Sequence, residues 1–207
     1  MTLDNGRIDS SDMFRPVIGV IPFGEPARDV LAVVSDSIQA MLRIPVDVLS
    51  PIPLPDHAYM AAREQYNAMA VIKYLATLHT ESYIKLLGIT GQDICNPIVT
   101  YVYGEAYMNG RAAVMSYARL SPGTRGTMVP REVQLERAVK VALHEIGHTF
   151  NLAHCLTDRC VMKASHNILQ LDEKLNYLCD YCEAFLADSL TKTLTALSEQ
   201  PAKTESL

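Results

Sequence analysis

The sequence predicts one α/β domain built on a mixed, twisted sheet, mostly parallel with an antiparallel edge strand, and covered by helices. Three observations carry this reading. Apolar runs of strand length alternate with helical periodicity through the N-terminal half, an Asn-Gly hairpin signal follows, and a long half-buried helix comes next. At 207 residues the chain can bury a full core.

Val17 to Ile21 is a short apolar run suited to a buried strand. From Ala27 to Leu42, Val30, Leu31, Val34, Ile38 and Leu42 recur at helical spacing. Val46 to Leu49 is a second strand, and Pro51 to Pro55 an extended segment that ends it. Asn67 to Leu78 reads as a helix through Met69, Ile72 and Leu75, with a strand near Ile84 to Ile89. Strand–helix alternation of this kind implies parallel pairing through right-handed crossovers. Val99 to Met108 and Arg111 to Tyr117 then flank Asn109-Gly110, whose residues both accept positive φ, so an antiparallel pair joins the sheet. Ser121 to Thr127 is a loop, and Pro130 opens a helix that runs to about Phe150. A last helix is expected from about Leu171 to Leu194, with Ser198 to Leu207 frayed.

Composition narrows the function classes. Hydrophobic content of 49% and charged content of 20% are those of a globular protein. A net charge of −5 without basic runs argues against nucleic acid or an anionic membrane as partner. No apolar run approaches the roughly eighteen residues of a membrane span. Met1 to Asp12 carry neither a basic nor an apolar leader region, so residues 1–13 are expected to be disordered and the protein cytoplasmic.

The chemistry lies in His144-Glu145-Ile146-Gly147-His148, followed by Asn151 and His154. Residues four apart share a helix face, so His144 and His148 can grip one ion, with Glu145 beside them as general base. His154 can join them only if the helix ends and the chain turns back. H-E-x-x-H arises by chance in roughly one chain in a hundred of this length, and a third His at its offset cuts that by about thirty. A merely solvated polar face would have polar neighbours, yet Leu143, Ile146 and Phe150 make the helix half-buried.

Cys155, Cys160, Cys179 and Cys182 form two close pairs, C-x4-C and C-x2-C, a pattern suited to a closed tetrahedral zinc site. Two disulfides are the alternative for a secreted chain, but a reducing cytosol favours metal. Cys95 has no partner at metal spacing and reads as a plain buried thiol.

Taken together, H-E-x-x-H-x-x-(G/N)-x-x-H-C-x4-C-x-M followed by C-x-x-C, from His144 to Cys182, resembles the archaemetzincins, a branch of the metzincin zinc peptidases. The resemblance implies that His144, His148 and His154 hold a catalytic zinc, that Glu145 is the base, and that the four cysteines hold a second, structural zinc. It places Met162 in the Met-turn beneath the histidines. It implies a metzincin-like fold, with residues 14–151 as an N-terminal subdomain ending in the zinc helix. Residues 152–207 then form a small helical subdomain around the four-cysteine site. It also implies that one strand of the hairpin, taken as Tyr101 to Met108, is an edge strand lining the cleft; from the sequence alone a hairpin that only closes the sheet is the equal alternative.

Two departures from the wider metzincin pattern stand out. Asn151 occupies the usual Gly position, where a left-handed residue must end the helix; Asn is the next most tolerant there. Ala164 stands where some metzincins carry a Tyr, which leaves the oxyanion-stabilising group open. The expected activity is peptide hydrolysis by a Glu145-activated, zinc-bound water, on a peptide or protein substrate. A zinc-binding scaffold without turnover is the alternative, against which an intact Glu145 argues. His166 and Glu105 are secondary candidates for substrate contact, whereas His57 and His79 read as surface or satisfied core residues.

Overall fold

The computed structural model describes residues 16–78, 80, 83–123 and 127–199. Residues 1–13, His79, the middle of the Ser121–Thr127 loop and the end of the C-terminal tail lie outside them. Among the described residues eight strands form in chain order: β1 Val17–Phe23, β2 Val46–Val48, β3 Tyr59–Met60, β4 Gln65–Asn67, β5 Tyr83–Thr90, β6 Ile94–Cys95, β7 Gly104–Ala106 and β8 Ala112–Ser116. The α-helices are α1 Arg28–Leu42, α2 Ala68–Thr77, α3 Arg131–Thr149, α4 Ile168–Glu173 and α5 Asp180–Ser198.

The main sheet has the order β2-β1-β5-β8-β7. The β2–β1, β1–β5 and β5–β8 pairs are parallel, and β7 closes the row antiparallel to β8. The mixed sheet with an antiparallel edge is therefore present. Strand side chains alternate between two cores, as a pleated sheet requires. Ile18, Val20, Leu87, Ile89, Ala113 and Met115 pack with the buried stripes of α1 and α3 on one face. Ile21, Phe23, Leu86, Ala112 and Val114 pack with α2 on the other. Val161, Met162, Leu171, Cys182 and Leu186 of the C-terminal part belong to the first core, so that part is seated against α3.

Four details differ from the sequence reading. The cleft strand is shorter than Tyr101 to Met108, because only Gly104–Ala106 keeps ladder register with β8. Of the turn pair, Asn109 alone is left-handed, at φ 54°, so the connection is not the two-residue type in which both adopt positive φ. The reason is tertiary: Asn109 N–H donates to His148 O (2.9 Å), and Lys85 Nζ donates to both Gly110 O (2.8 Å) and Thr149 O (2.7 Å). The hairpin is thereby tied to the end of α3. The single C-terminal helix is in fact two, α4 and α5, separated by Lys174–Cys179. Finally, β3, β4 and β6 form a small second sheet that the alternation does not signal. Beside it, Arg63 donates to Val99 O (2.7 Å) and Thr100 O (2.6 Å), and so holds the loop that rims the cleft.

Candidate metal centre and cleft

Helix α3 is buried along its C-terminal half, from Arg137 to Thr149, which holds His144 and His148 rigidly on one face. Its end has the geometry of a Schellman cap. Asn151 is left-handed at φ 67°, its N–H donates to His148 O (2.9 Å), and Leu152 N–H donates to Gly147 O (3.2 Å). The chain reverses there and brings His154 back, so that one ligand nitrogen from each of His144, His148 and His154 lies within 4.8 Å of the others.

The hydrogen bonds of the rings decide what these nitrogens can bind. His144 Nδ1 lies 2.8 Å from Val161 O, and His148 Nδ1 lies 2.6 Å from Leu152 O. A carbonyl only accepts, so both Nδ1 atoms carry the proton and both Nε2 atoms present lone pairs. Those two Nε2 atoms are 3.1 Å apart. Lone pairs facing at that distance repel one another unless a cation lies between them, and tetrahedral zinc with Zn–N of about 2.0–2.1 Å puts nitrogens roughly 3.4 Å apart. Burial, with Lys174 second, holds the His144 imidazole well below its ordinary pKa, which keeps the ring neutral. The donor set fits zinc.

Met162 is fully buried and lies under this face of the helix. Gly147 makes the approach possible: a Cβ there would stand 2.6 Å from Met162 Sδ. The same economy operates at the edge strand, where a Cβ on Gly104 would stand 2.4 Å from Glu145 Cγ and 2.7 Å from Oε1. β7 therefore presses on the Glu145 side chain and fixes where its carboxylate sits. Burial first, and the Glu105 carboxylate second, push Glu145 up to about 8, while the Lys174 ammonium opposes the rise.

The four cysteines also converge. All are free thiols, and the sulfurs of Cys155, Cys160, Cys179 and Cys182 lie within 4.8 Å of one another. Cys155 Sγ and Cys179 Sγ are 3.7 Å apart, against about 3.8 Å expected between sulfurs held tetrahedrally at 2.3 Å from one zinc. Cys179 is the N-cap of α5, where the Cys182 backbone N–H holds its thiol down at about 6. Burial instead pushes the Cys160 and Cys182 thiols up, so it is the convergence of four sulfurs at tetrahedral spacing that fits zinc, whose charge draws off the thiol protons.

The histidines open into a cleft of about 530 Å³. Its walls include Tyr103, Gly104 and Glu105 on the β7 side, Val141, His144, Glu145 and His148 of α3, and Ala164, Ser165, His166, Leu171 and Lys174 beyond Met162. Glu105 and His166 are thus both at the cleft, and Ala164 stands there in place of a Tyr. His57 is remote, its ring edge-on to Tyr74. Cys95 is buried, with its thiol 3.6 Å from Met60 Sδ. The sequence reading did not single out Gly104 or Lys174, nor the carbonyls of Leu152 and Val161. Only the motif spacing around the histidines hints at the last two, since nothing local marks a residue as the neighbour of a distant one.

Comparison with known proteins agrees with this geometry. The model of peptidase family M54 matches residues 11–188. The archaemetzincin of Methanopyrus kandleri is 40% identical over 139 residues, covering 67% of this chain and 75% of its own length. The crystal structure of archaemetzincin from the same organism superposes with a TM-score of 0.77 at 32% identity, covering 88% of this chain and 99% of that one. The zinc-dependent peptidase of Methanocorpusculum labreanum gives 0.70 at 26% identity, with 82% and 99% covered. A family model spanning most of the chain, structural correspondence over 88% of it and a histidine cluster suited to zinc lead to one conclusion: the chain belongs to peptidase family M54, the archaemetzincins, and is a zinc metallopeptidase acting on peptide or protein substrates.

Proposed function

We propose that peptide bonds are hydrolysed at the three-histidine site with Glu145 as general base, and that the four cysteines hold a second, structural zinc. His144, His148 and His154 would hold the catalytic ion, and Cys155, Cys160, Cys179 and Cys182 the other. When bound to three imidazoles, zinc retains an open position, acidifies a water there and polarises a carbonyl.

The observation that carries the reading is the position of Glu145. It adjoins the first histidine, lines the cleft, and cannot shift toward β7 because Gly104 is in contact with it, so its carboxylate is held beside the histidines. Its carboxylate takes a proton from the attacking water and returns it to the leaving nitrogen. β7 supports substrate binding because it is the last strand of its sheet, so an extended peptide can add alongside it. The four cysteines hold the described part of the C-terminal subdomain, from Leu152 on, against α3, with Met162 beneath the histidines and the chain up to Asn151 as the N-terminal subdomain. No described helix is long and apolar enough to cross a membrane. A reducing, cytoplasmic setting suits four free thiols.

The test is hydrolysis of a mixed peptide library by the zinc-loaded protein, with and without chelator. Glu145→Gln is expected to lose turnover while retaining zinc, and His148→Ala to lose both. Near wild-type turnover in Glu145→Gln refutes the assignment of the base.

A further inference from the structure

We propose that Lys174, with Ser165, makes the cleft wall beside His144 selective for an acidic residue of the substrate. The inference rests on the reading of this cleft as a peptidase site and adds to it the class of peptide taken.

Lys174 follows α4 as its C-cap residue and is only 3% exposed, yet it contributes to the cleft wall together with Val141, Leu171 and Ser165. Its ammonium donates to Val161 O (3.0 Å) and Lys163 O (2.9 Å). An ammonium has three donors, so one is left over. Among the described residues no carboxylate lies within ion-pair distance of it, although a buried cation is ordinarily paired. Ser165 lines the same stretch of wall; its Oγ is enclosed and has no hydrogen-bond partner, so it meets a ligand in the cleft by rotating about χ1. The third Lys174 donor and the unpartnered Ser165 hydroxyl, on a stretch of wall that also carries Val141 and Leu171, match a carboxylate, which accepts from several donors at once. Of the cleft's own carboxylates, Glu105 is on β7 and Glu145 packs against Gly104 of that strand; Glu145 and Lys174 attract one another through the site but form no direct ion pair. The two carbonyls also hold the ammonium in place, so little side-chain freedom remains to be lost when an anion arrives.

The experiment uses zinc-loaded full-length protein and peptides in which each position in turn is Glu, Gln or Lys. Binding is measured on the Glu145→Gln chain and cleavage on wild type. At one position Glu is expected to exceed Gln by roughly tenfold to a hundredfold, the range of a charge-assisted hydrogen bond, with Lys weakest. Lys174→Met is expected to bring the Glu:Gln ratio near one, and Lys174→Arg to preserve it. The ratio is the deciding quantity, because general damage to the site lowers both peptides together. Absence of a Glu preference at every position overturns the proposal, as does a preference that survives in Lys174→Met. The first of these refutations needs no Lys174 variant, so it holds even if that variant fails to fold. If wild type cleaves nothing while Glu145→Gln still selects acidic peptides, the hydrolytic reading fails and the acidic subsite stands.

Discussion

Replacing Asn151 by valine tests how the histidine site is assembled. Asn151 is held at φ 67°, and two hydrogen bonds depend on that turn, Asn151 N–H to His148 O (2.9 Å) and Leu152 N–H to Gly147 O (3.2 Å). The carbonyl of Leu152 in turn fixes the His148 ring. A left-handed residue costs an ordinary L-amino acid roughly 1–2 kcal/mol, less for Asn and more for a β-branched side chain. Asn151→Val is therefore expected to destabilise by about 2 kcal/mol, or about 4–8 °C in Tm for a domain of this size. The alternative for the variant is to continue the helix. That moves residue 154 roughly 9 Å along the axis from residue 148 and takes His154 off the metal. Either way zinc affinity at the histidines falls. Asn151→Gly accepts the same φ and is expected within about 1 kcal/mol of wild type, with zinc retained. Thermal melts combined with chelator competition on the three proteins provide the assay. A valine variant with wild-type Tm and zinc affinity refutes the claim that the left-handed turn builds the site.

Gly104→Ala sets a methyl group 2.4 Å from Glu145 Cγ and so must displace the base. It is expected to lower kcat by about a hundredfold, the effect of an ångström-scale misplacement, with zinc content unchanged; wild-type kcat counts against β7 fixing Glu145. Cys179→Ser removes the thiolate at the start of α5, and is expected to lower Tm and the zinc content at both sites, because Cys155 adjoins His154. Unchanged melting with full zinc shows that Cys179 is not a ligand. Elemental analysis of wild type purified under reducing conditions is expected to give two zinc ions per chain; one zinc together with a disulfide among the cysteines refutes the structural site.

What the sequence by itself determined is whatever rests on local periodicity and fixed spacing. The apolar pattern of β1, α1, α2 and β5 reports one-sided burial, so their existence and order are legible, as is the antiparallel pair around Asn109-Gly110. The histidine and cysteine sets are legible because metal ligation demands particular residue types at particular offsets, and Asn151 because a helix that returns its chain needs a left-handed residue. Tertiary structure decided the rest. The short strands β3, β4 and β6 carry too few residues for a period, and pair only because Gln65–Asn67 and Ile94–Cys95 are brought side by side. The hairpin turn departs from its local preference because Lys85 and Asn109 bind it to the end of α3. The break between α4 and α5 falls where Lys174 turns inward to two carbonyls beside Met162 and the cysteines gather around the N-terminus of α5. Gly104 beneath Glu145 and Lys174 in the cleft wall lie 41 and 29 residues from Glu145 in the chain. A contact across that separation leaves no periodic trace in the sequence, so only the packed fold brings Glu145, the three histidines and the wall of the cleft together.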